Sequence, residues 1–262
     1  MKNASFTFTH ALCRRPAVSI TNGLRADDQG DPDHATFLTH HEQYVEALRT
    51  SGCQVTVLDP LEAYPDSVFI EDAALCLAGT AIVLRPGAES RFGESAALMP
   101  SLTDHFQRVV SLSGEGYVDG GDILVTDTEV LVGLSSRTNQ LGFEHLSVIV
   151  EKLGYKIRKI NTPAEILHFK TDCGLLDSQT IFASQALAAT GCFENYTVIV
   201  APQGESAAAN LIRVNDTTFI CEGFPNTKAT LQEAGYKVVC LPNTEAAKVD
   251  GGLSCMSLRF TP

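Results

Sequence analysis

The order of hydrophobic and polar positions along the chain repeats five times. In each repeat, a helix-like stretch ends at a glycine or a polar break and is followed by a short β-rich run. These runs cover residues 53–59, 108–113, 155–161, 197–202 and 236–242. Pairs of strand-like segments alternate with them, at residues 68–83, 123–134, 173–183, 208–221 and 253–260. The pattern predicts a mixed α/β protein built from repeated units.

The repeat also predicts how the units are arranged. Helical spacing of apolar residues is clearest at residues 34–50, 95–107 and 139–153. Repeats of this length indicate a propeller, solenoid or array. A closed ring fits best, because the strand-like residues 5–9 would pair with residues 253–260 and leave no exposed edge. An ordinary α/β domain, whose helices simply end in similar glycine caps, stays open as the alternative.

Composition narrows the class of protein. A chain of 262 residues with 44% hydrophobic residues can bury a large core, and we expect one domain over residues 1–262. The eight cysteines form no Cys-x-x-Cys pair, which favours a reduced, cytoplasmic protein. The N-terminus does not read as a signal peptide, and the longest apolar stretch, residues 73–84, is interrupted. We therefore expect no membrane span. The net charge of -12 argues against a nucleic-acid partner.

Cys255 is the strongest candidate for a reacting group. It follows Asp250-Gly251-Gly252 closely, so a carboxylate and two glycines lie just upstream. His168 is the one histidine inside a β-like apolar run. A cysteine together with a distant histidine and an orienting acid is typical of an activated thiolate nucleophile. Core packing remains the alternative for both side chains, because buried cysteines and hydrogen-bonded core histidines are common.

Acidic residues form two further groups. Asp66, Glu71 and Asp72 surround an apolar, β-rich segment, and Glu71 and Asp72 must point to opposite faces if they lie in a strand. A carboxylate that faces inward is costly unless it meets a cation, and a cationic substrate would serve. The second group is Asp119-Gly120-Gly121-Asp122, directly before a strand-like run. The paired glycines indicate close approach by another group, although the motif is also a common turn.

Two arginines complete the candidate set. Arg91 and Arg137 each follow a predicted hairpin where a helix should begin. A guanidinium there could bind a carboxylate through two parallel hydrogen bonds. The sequence has no P-loop, no dinucleotide-binding glycine motif and no Cys/His metal spacing. We therefore expect that side chains carry out the chemistry and that no cofactor is required.

Taken together, these segments resemble the dimethylarginine dimethylaminohydrolase family of the pentein superfamily. The similarity runs in order through nearly the whole chain, at residues 8–11, 65–72, 85–88, 119–122, 133–140, 168–170, 248–251 and Cys255. The resemblance implies a five-bladed α/β propeller of ββαβ units around a pseudo-fivefold axis. It also implies hydrolysis of Nω-methylated arginine, mono- or asymmetrically dimethylated, to citrulline and a methylamine.

The resemblance assigns a role to each candidate. Cys255 would attack the guanidinium carbon as a thiolate, with its pKa lowered by the cationic substrate or by His168. His168 would protonate the leaving amine and then activate water, while Asp119 holds His168. The remaining residues would bind the substrate: Asp66, Glu71, Asp72 and Asp250 around the guanidinium, Arg91 and Arg137 at the α-carboxylate, and Leu24 and Val249 over it. Leu24 lies on a Gly- and Asp-rich loop, residues 19–31, with the composition of a movable lid.

Alternatives within and outside the family remain open. Sister arginine deiminases usually have Arg before the acid at Ile70-Glu71-Asp72 and Glu at Asp119, which favours the dimethylarginine branch. A deiminase or amidinotransferase acting on another guanidine is the main competing hypothesis. A binding protein on the same fold is the third, and the intact Cys255, His168 and Asp119 argue against it. We also predict that Zn²⁺ inhibits by bridging Cys255 and His168. A homodimer is compatible with the sequence, which does not fix the oligomeric state.

Overall fold

A computed structural model describes residues 5–262 as five three-stranded sheets joined by helices. The strands are His10–Arg14 (β1), Gln54–Leu58 (β2), Ala74–Leu77 (β3), Thr80–Val83 (β4), Arg108–Ser111 (β5), Ile123–Val125 (β6), Glu129–Leu134 (β7), Lys156–Asn161 (β8), Cys173–Leu175 (β9), Thr180–Ala183 (β10), Thr197–Val200 (β11), Ile212–Val214 (β12), Thr217–Cys221 (β13), Lys237–Leu241 (β14) and Leu258–Phe260 (β15). The helices are His34–Thr50 (α1), Glu94–His105 (α2), Gln140–Lys152 (α3), Gln185–Ala188 (α4), Pro225–Glu233 (α5) and Thr244–Ala247 (α6).

Every sheet is built in the same way. An inner strand pairs antiparallel with a middle strand, and the middle strand pairs parallel with an outer one, as in β3, β4 and β5. Parallel neighbours cannot be joined by a tight turn, so each middle strand leads through a helix to its outer strand. In the fourth unit this helix, α4, has only four residues. These repeats confirm the predicted α/β propeller of ββαβ units.

The chain ends join in one sheet, as a closed ring requires, but with a different strand from the predicted one. β15 pairs antiparallel with β1, from His10 opposite Phe260 to Leu12 opposite Leu258. The predicted strand at residues 5–9 is wrong, because those residues form a turn and loop that precede β1. β1 is a middle strand with both faces covered, and its buried run of apolar residues is typical of such a position. Residues 1–4 of the predicted domain 1–262 lie outside the described part.

The core lies between neighbouring units. Phe37 and Tyr44 of α1, for example, share a cluster with Phe219 of β13, and Leu146 of α3 shares one with Ile82 of β4. The inner strands β3, β6, β9, β12 and β15 surround a central channel of about 500 Å³. Across residues 5–262, helices long and apolar enough to cross a membrane are absent.

Candidate active site

A small pocket at one end of the ring brings most of the predicted residues together. It is about 30 Å³ in volume, and short turns that precede the inner strands supply much of its lining. We call it the acidic pocket. Nine predicted residues line it, together with Phe69, Leu167 and Gly251: Leu24, Asp66, Asp72, Arg91, Arg137, His168, Val249, Asp250 and Cys255. Asp119 contacts the pocket through His168, whereas the carboxylate of Glu71 points elsewhere.

His168 and Asp119 form a buried hydrogen-bonded pair. Nε2 of His168 lies 2.9 Å from Oδ2 of Asp119, and Asp119 is fully buried. The other carboxylate oxygen accepts the backbone N–H of Gly87 at 2.7 Å. Asp119 is thus held at both oxygens, and it reaches the imidazole although it is one methylene shorter than Glu. The Gly120-Gly121 pair permits this approach, since a Cβ on Gly121 would lie 2.9 Å from the His168 ring.

The surrounding carboxylates keep His168 protonated. Burial disfavours the imidazolium, but Asp72, the hydrogen bond to Asp119 and the nearby Asp122 outweigh burial and raise the pKa of His168 to about 9. Asp122 also orients the segment, because its carboxylate accepts the backbone N–H of Phe169 at 2.8 Å. At neutral pH, His168 is therefore protonated and able to donate a proton.

Arg91 is part of the wall of the pocket and has most of its donors engaged. Its guanidinium binds Glu94 through two hydrogen bonds of 2.9 and 2.8 Å and binds Asp72 at 2.6 Å. It also donates to the backbone oxygens of Asp66 and Phe69. Burial raises the pKa of Asp72, but His168 and Arg91 outweigh it and lower that pKa to about 2. Asp72 is consequently ionised and paired with Arg91.

Arg137 is the freer of the two arginines. Its nearest carboxylate oxygen, Oδ2 of Asp119, lies 4.0 Å away, and its side chain is 18% exposed. The guanidinium therefore keeps donors for a ligand. Of the two predicted carboxylate-binding arginines, Arg137 has the geometry for that contact, whereas Arg91 chiefly fixes Asp72.

Cys255 lies at the base of the pocket on a tightly packed loop. A Cβ on Gly251 would lie 2.2 Å from the Phe69 ring, and one on Gly252 would lie 2.1 Å from Asn210. Glycine at both positions is therefore required for the loop to pack. The thiol sulfur lies 3.9 Å from Nδ2 of Asn210 and 3.7 Å from the Ser254 hydroxyl.

Cys255 is a neutral thiol in the protein itself. Burial, followed by the charges of Glu71 and Asp72, raises its pKa to about 11. The pKa of Cys255 was expected to be lowered by the cationic substrate or by His168; in the protein itself burial and the two carboxylates prevail over His168. A cation bound in the pocket remains the available means of stabilising the thiolate.

The predicted lid lies over the pocket. The backbone N–H of Leu24 donates to Oδ1 of Asp66 at 2.9 Å, and that of Ala26 donates to Oδ2 of Asp250 at 2.6 Å. Asp250 itself adopts a left-handed backbone conformation with φ of 56°. The second carboxylate oxygen of Asp66 is not used by the lid. Burial raises the pKa of Asp66.

Glu71 faces away from the acidic pocket. Its Oε1 lies 2.6 Å from Nζ of Lys170 and 2.8 Å from a guanidinium nitrogen of Arg259, and all three side chains line the central channel. Glu71 and Asp72 lie in a short turn, Ile70–Ala73, and not in the strand from which opposite faces were predicted, and their side chains line different cavities. The structure gives the inward position at the pocket to Asp72, so Glu71 does not contact a guanidinium there.

A metal ion would have to compete with existing partners. Within residues 5–262, the group spaced for a metal is Asp72, Asp119 and His168, all buried. Its oxygens already accept from Arg91, Gly121, Gly87 and His168. Cys255 is not a member of this group, and inhibition by Zn²⁺ at Cys255 and His168 stays a prediction.

Sequence reasoning missed four residues that shape the site: Glu94, Asp122, Phe69 and Asn210. Glu94 could have been found, since it lies three positions after Arg91 and helical spacing brings such pairs together. Asp122 belongs to a motif that was noted. No signal pointed to Phe69 or Asn210, which approach the loop of residues 251–255 from distant segments.

Comparisons with known proteins point to one family. A family model described as "N,N dimethylarginine dimethylhydrolase, eukaryotic" matches residues 14–170. The dimethylarginine dimethylaminohydrolase of Pseudomonas aeruginosa is 37% identical, over 97% of this chain and all of its own. The enzyme of that name from Streptomyces coelicolor is 29% identical over 95% of this chain and 96% of its own.

Solved structures give the same result. A Cys-to-Ser mutant of the Pseudomonas aeruginosa enzyme, complexed with citrulline, superposes with a TM-score of 0.94 at 36% identity, covering 97% of this chain and 100% of its own. A cyanobacterial arginine dihydrolase domain has a TM-score of 0.84 at 19% identity over 96% of this chain and 97% of its own, which reflects a shared fold. The pentein propeller expected from the sequence is thereby confirmed. The chain belongs to the dimethylarginine dimethylaminohydrolase family.

Proposed function

We propose that the protein hydrolyses Nω-methylated arginine to citrulline and a methylamine, and that Cys255, His168 and Asp119 carry the reaction. Family membership already makes it a hydrolase of guanidino C–N bonds. The observation that carries the proposal is the juxtaposition, in one buried pocket, of a thiol, a protonated imidazole and carboxylates. These groups match a cationic electrophile with a poor leaving group.

The pocket offers complementary contacts to both ends of such a substrate. The free oxygen of Asp66 can accept from the guanidinium, and Asp72 adds negative charge nearby. Arg137 can bind the α-carboxylate through charge-assisted hydrogen bonds. Carboxylates outnumber the permanent cations here, since Asp66, Asp72, Asp119 and Asp250 accompany Arg91 and Arg137. A guanidinium is therefore favoured over an anion at the reacting end.

The bound guanidinium activates the thiol. Its positive charge, placed beside Cys255, opposes the effect of Glu71 and Asp72 and lowers the thiol pKa from about 11. The thiol loses its proton to solvent, and the thiolate attacks the guanidinium carbon. His168 transfers its proton to the departing methylamine as the C–N bond breaks, which leaves a covalent thiouronium on Cys255.

Hydrolysis completes the cycle with the same groups. The now neutral His168 accepts a proton from water as the water oxygen attacks the thiouronium carbon. The C–S bond then breaks, which releases citrulline and regenerates Cys255. Asp119 keeps the imidazole oriented through both steps. No step uses a cofactor.

The lid must open for the substrate to enter. A volume of about 30 Å³ is far below the roughly 300 Å³ of typical small-molecule pockets. Residues 23–33 are held down by hydrogen bonds from Leu24 and Ala26 to side chains of the pocket. Breaking these bonds opens the site, and closing it excludes water around the reacting groups.

Product analysis tests the assignment. The purified protein is incubated with asymmetric dimethylarginine, monomethylarginine or arginine, and citrulline and the released amine are measured for each. We expect citrulline together with dimethylamine or methylamine. Ammonia released from arginine, with no turnover of methylated substrates, would indicate a deiminase instead. Transfer of the amidino group to an added amine would indicate an amidinotransferase, and no turnover of any guanidine would refute the proposal.

A change of leaving group tests the role of His168. Methanethiolate leaves without being protonated. S-methylthiocitrulline, which carries this leaving group, therefore does not need the general acid. We expect His168→Gly to lose about 10³-fold in rate with dimethylarginine but much less in forming the Cys255 adduct with S-methylthiocitrulline. Mass spectrometry of the acid-quenched protein detects that adduct. Equal losses with both substrates would contradict a proton-donor role.

A further inference from the structure

Four of the five turns that precede the inner strands supply a side chain to the proposed reaction. These side chains are Asp72 before β3, Asp119 before β6, His168 before β9 and Cys255 before β15. The turn before β12, Ser206–Ala209, ends at Asn210 and has no role so far. Asn210 is 6% exposed and, within residues 5–262, is absent from the lining of the acidic pocket. Its polar contacts lie instead on the loop that carries Cys255.

Hydrogen bonding fixes the orientation of the Asn210 amide. The backbone N–H of Ser254 donates to Oδ1 of Asn210 at 3.0 Å. A backbone N–H cannot accept a hydrogen bond, so the amide atom that faces it must be the oxygen. The amide nitrogen, Nδ2, is therefore directed at Sγ of Cys255, 3.9 Å away, and donates to it. Asn210 thus holds the loop with one end of its amide and the reacting sulfur with the other.

Gly252 allows this close approach. A Cβ on Gly252 would lie 2.1 Å from Nδ2 and 2.5 Å from Oδ1 of Asn210. The amide therefore packs directly against the backbone of the loop. Burial also limits the access of water to the sulfur, and a hydrogen bond is stronger in such surroundings than in water.

A second polar group near the sulfur is less committed to it. The hydroxyl of Ser254 lies 3.7 Å from Sγ of Cys255, and either atom can be the donor. A hydroxyl can rotate and can also accept, whereas Nδ2 of an asparagine can only donate. A donor of this kind is matched to a thiolate, because hydrogen bonds to ionised acceptors are about twice as strong as those to neutral ones.

We propose that Asn210 is a catalytic residue, whose Nδ2 stabilises the thiolate of Cys255 through a hydrogen bond. This role rests on the proposed function, in which negative charge forms on the sulfur twice. The charge forms first when the thiol loses its proton, and again when the C–S bond of the thiouronium breaks and leaves its electron pair on sulfur. The hydrogen bond strengthens as this charge develops. In the resting protein, burial and the carboxylates still keep the thiol neutral.

Alkylation of Cys255 by iodoacetamide, located by peptide mass spectrometry, tests the role without any substrate. Asn210→Ser removes the amide, adds no charge and places no donor at the position of Nδ2. We expect its pH profile of alkylation to move upward by about one unit, which means alkylation about tenfold slower at a given pH below the thiol pKa. An unchanged profile would overturn the proposal.

A matched control separates this effect from a loss of stability. Asn215 likewise accepts a backbone N–H and donates through Nδ2, but its partners are Phe8 and Ser51. Asn215→Ser should therefore lower the free energy of unfolding and keep the wild-type alkylation profile. An equal shift of the profile in Asn215→Ser would show that destabilisation alone moves it, which would refute the role of Asn210.

Asn210→Asp separates the hydrogen bond from charge. The variant keeps an oxygen for the N–H of Ser254 but replaces the donor at the sulfur by a second oxygen. We expect its alkylation profile to move further upward than that of Asn210→Ser, because a like charge adds to the lost hydrogen bond. A shift in Asn210→Asp without one in Asn210→Ser would mean that only the added charge acts, and the proposal would be wrong. If Asn210→Asp fails to unfold cooperatively on heating, Asn210→Ser decides alone.

Kinetics distinguishes a contact with the sulfur from a role in loop structure. With dimethylarginine, Asn210→Ser should lower kcat by about tenfold or more and change KM by less than about threefold, because the amide does not line the pocket. Formation of the S-methylthiocitrulline adduct should slow by the same factor, since it needs the thiolate but no acid. A raised KM with unchanged kcat would assign Asn210 to loop structure and refute the proposal. A wild-type protein that turns over no guanidine would instead refute the proposed function, and the alkylation profiles would still decide whether Asn210 stabilises the thiolate.

Discussion

The acidic pocket and the central channel lie on opposite sides of the same few segments. The pocket is about 30 Å³ and is rich in carboxylates, whereas the channel is about 500 Å³ and carries mostly cations. Neighbouring residues divide between them: Asp72 faces the pocket and Glu71 the channel, and Cys255 faces the pocket and Ser254 the channel. Cavity size alone would thus select the wrong side for the chemistry.

This division shows how adjacent residues acquire different tasks. A short turn before each inner strand changes direction within one or two residues, so the chain can offer one side chain to each cavity. The backbone N–H of Glu71 donates to the oxygen of Cys255 at 3.1 Å, which ties the two turns together at the boundary. The same segments therefore separate the cavities and hold the reacting groups in place.

The largest effect should come from replacing the cysteine on the pocket side of this boundary. Cys255→Ser removes the thiolate, and we expect turnover to fall by at least about 10⁴-fold. Cys173→Ser is the matched control, because Cys173 is equally a buried thiol but lines the channel. Its sulfur donates to the oxygen of Phe169, a bond that serine can keep. Steady-state rates of citrulline formation decide the matter. Loss of activity in both variants, with cooperative unfolding retained, would contradict the division between the cavities.

The next largest effects should come from replacing arginines that line the two cavities. Arg91 at the pocket is buried, Arg259 at the channel has a side chain that is 12% exposed, and both are paired with acids. Arg91→Ala leaves the buried carboxylates of Asp72 and Glu94 without their cation, and we expect a loss of about 3–5 kcal/mol in the free energy of unfolding. Arg259→Ala should cost less, because Glu71 keeps its ion pair with Lys170. Arg137→Ala should cost little stability but raise KM about 30-fold, since charge-assisted hydrogen bonds to the substrate are lost.

Urea unfolding and steady-state kinetics separate the two kinds of arginine. A substrate analogue without the α-carboxylate provides the control, because its KM should respond weakly to Arg137→Ala. An unchanged KM for the full substrate in Arg137→Ala, or full stability of Arg91→Ala, would reverse the assignments made from their contacts.

The pH dependence of kcat/KM and of alkylation tests how carboxylates at both cavities affect the thiol of Cys255. The reactive form needs the Cys255 thiolate and the His168 imidazolium, with pKa values of about 11 and about 9. The pKa of the acid, His168, lies below that of the nucleophile, Cys255. The value of kcat/KM should therefore rise with pH up to about 9, as more thiolate forms, and level off between about 9 and 11, where gain of thiolate balances loss of imidazolium. Above about 11, kcat/KM should fall, because only the loss of imidazolium continues. Glu71→Gln removes a negative charge and should lower the thiol pKa, so alkylation of Cys255 by iodoacetamide should begin at lower pH. An alkylation profile identical to wild type would exclude an effect of Glu71 across the boundary.

The sequence allowed the ring to be predicted from the order of its segments, whereas most of the pocket was predicted from the resemblance to a known family. Strand-forming and helix-forming segments alternate along the chain. Motifs such as Asp119 to Asp122 fix the local backbone by themselves. The direction of Glu71 could not be predicted, since a turn decides which of two adjacent acids faces which cavity. The raised pKa of Cys255 could not be predicted either, because it depends on burial and on two carboxylates far away in sequence. The first strand was misplaced because alternation at residues 5–9 resembles an edge strand, whereas β1 is a buried middle strand.

The smallest predicted effect concerns the lid, which covers the acidic pocket. Asp250 accepts the backbone N–H of Ala26, and glycine tolerates the φ of 56° found at this position. Asp250→Gly should therefore remove one lid contact without backbone strain and raise KM about fivefold, as the loss of roughly 1 kcal/mol implies. Asp27→Gly, on the exposed part of the same loop, is the control and should leave KM unchanged. A matching rise of KM in Asp27→Gly would mean that loop flexibility, rather than the Asp250 contact, governs closure.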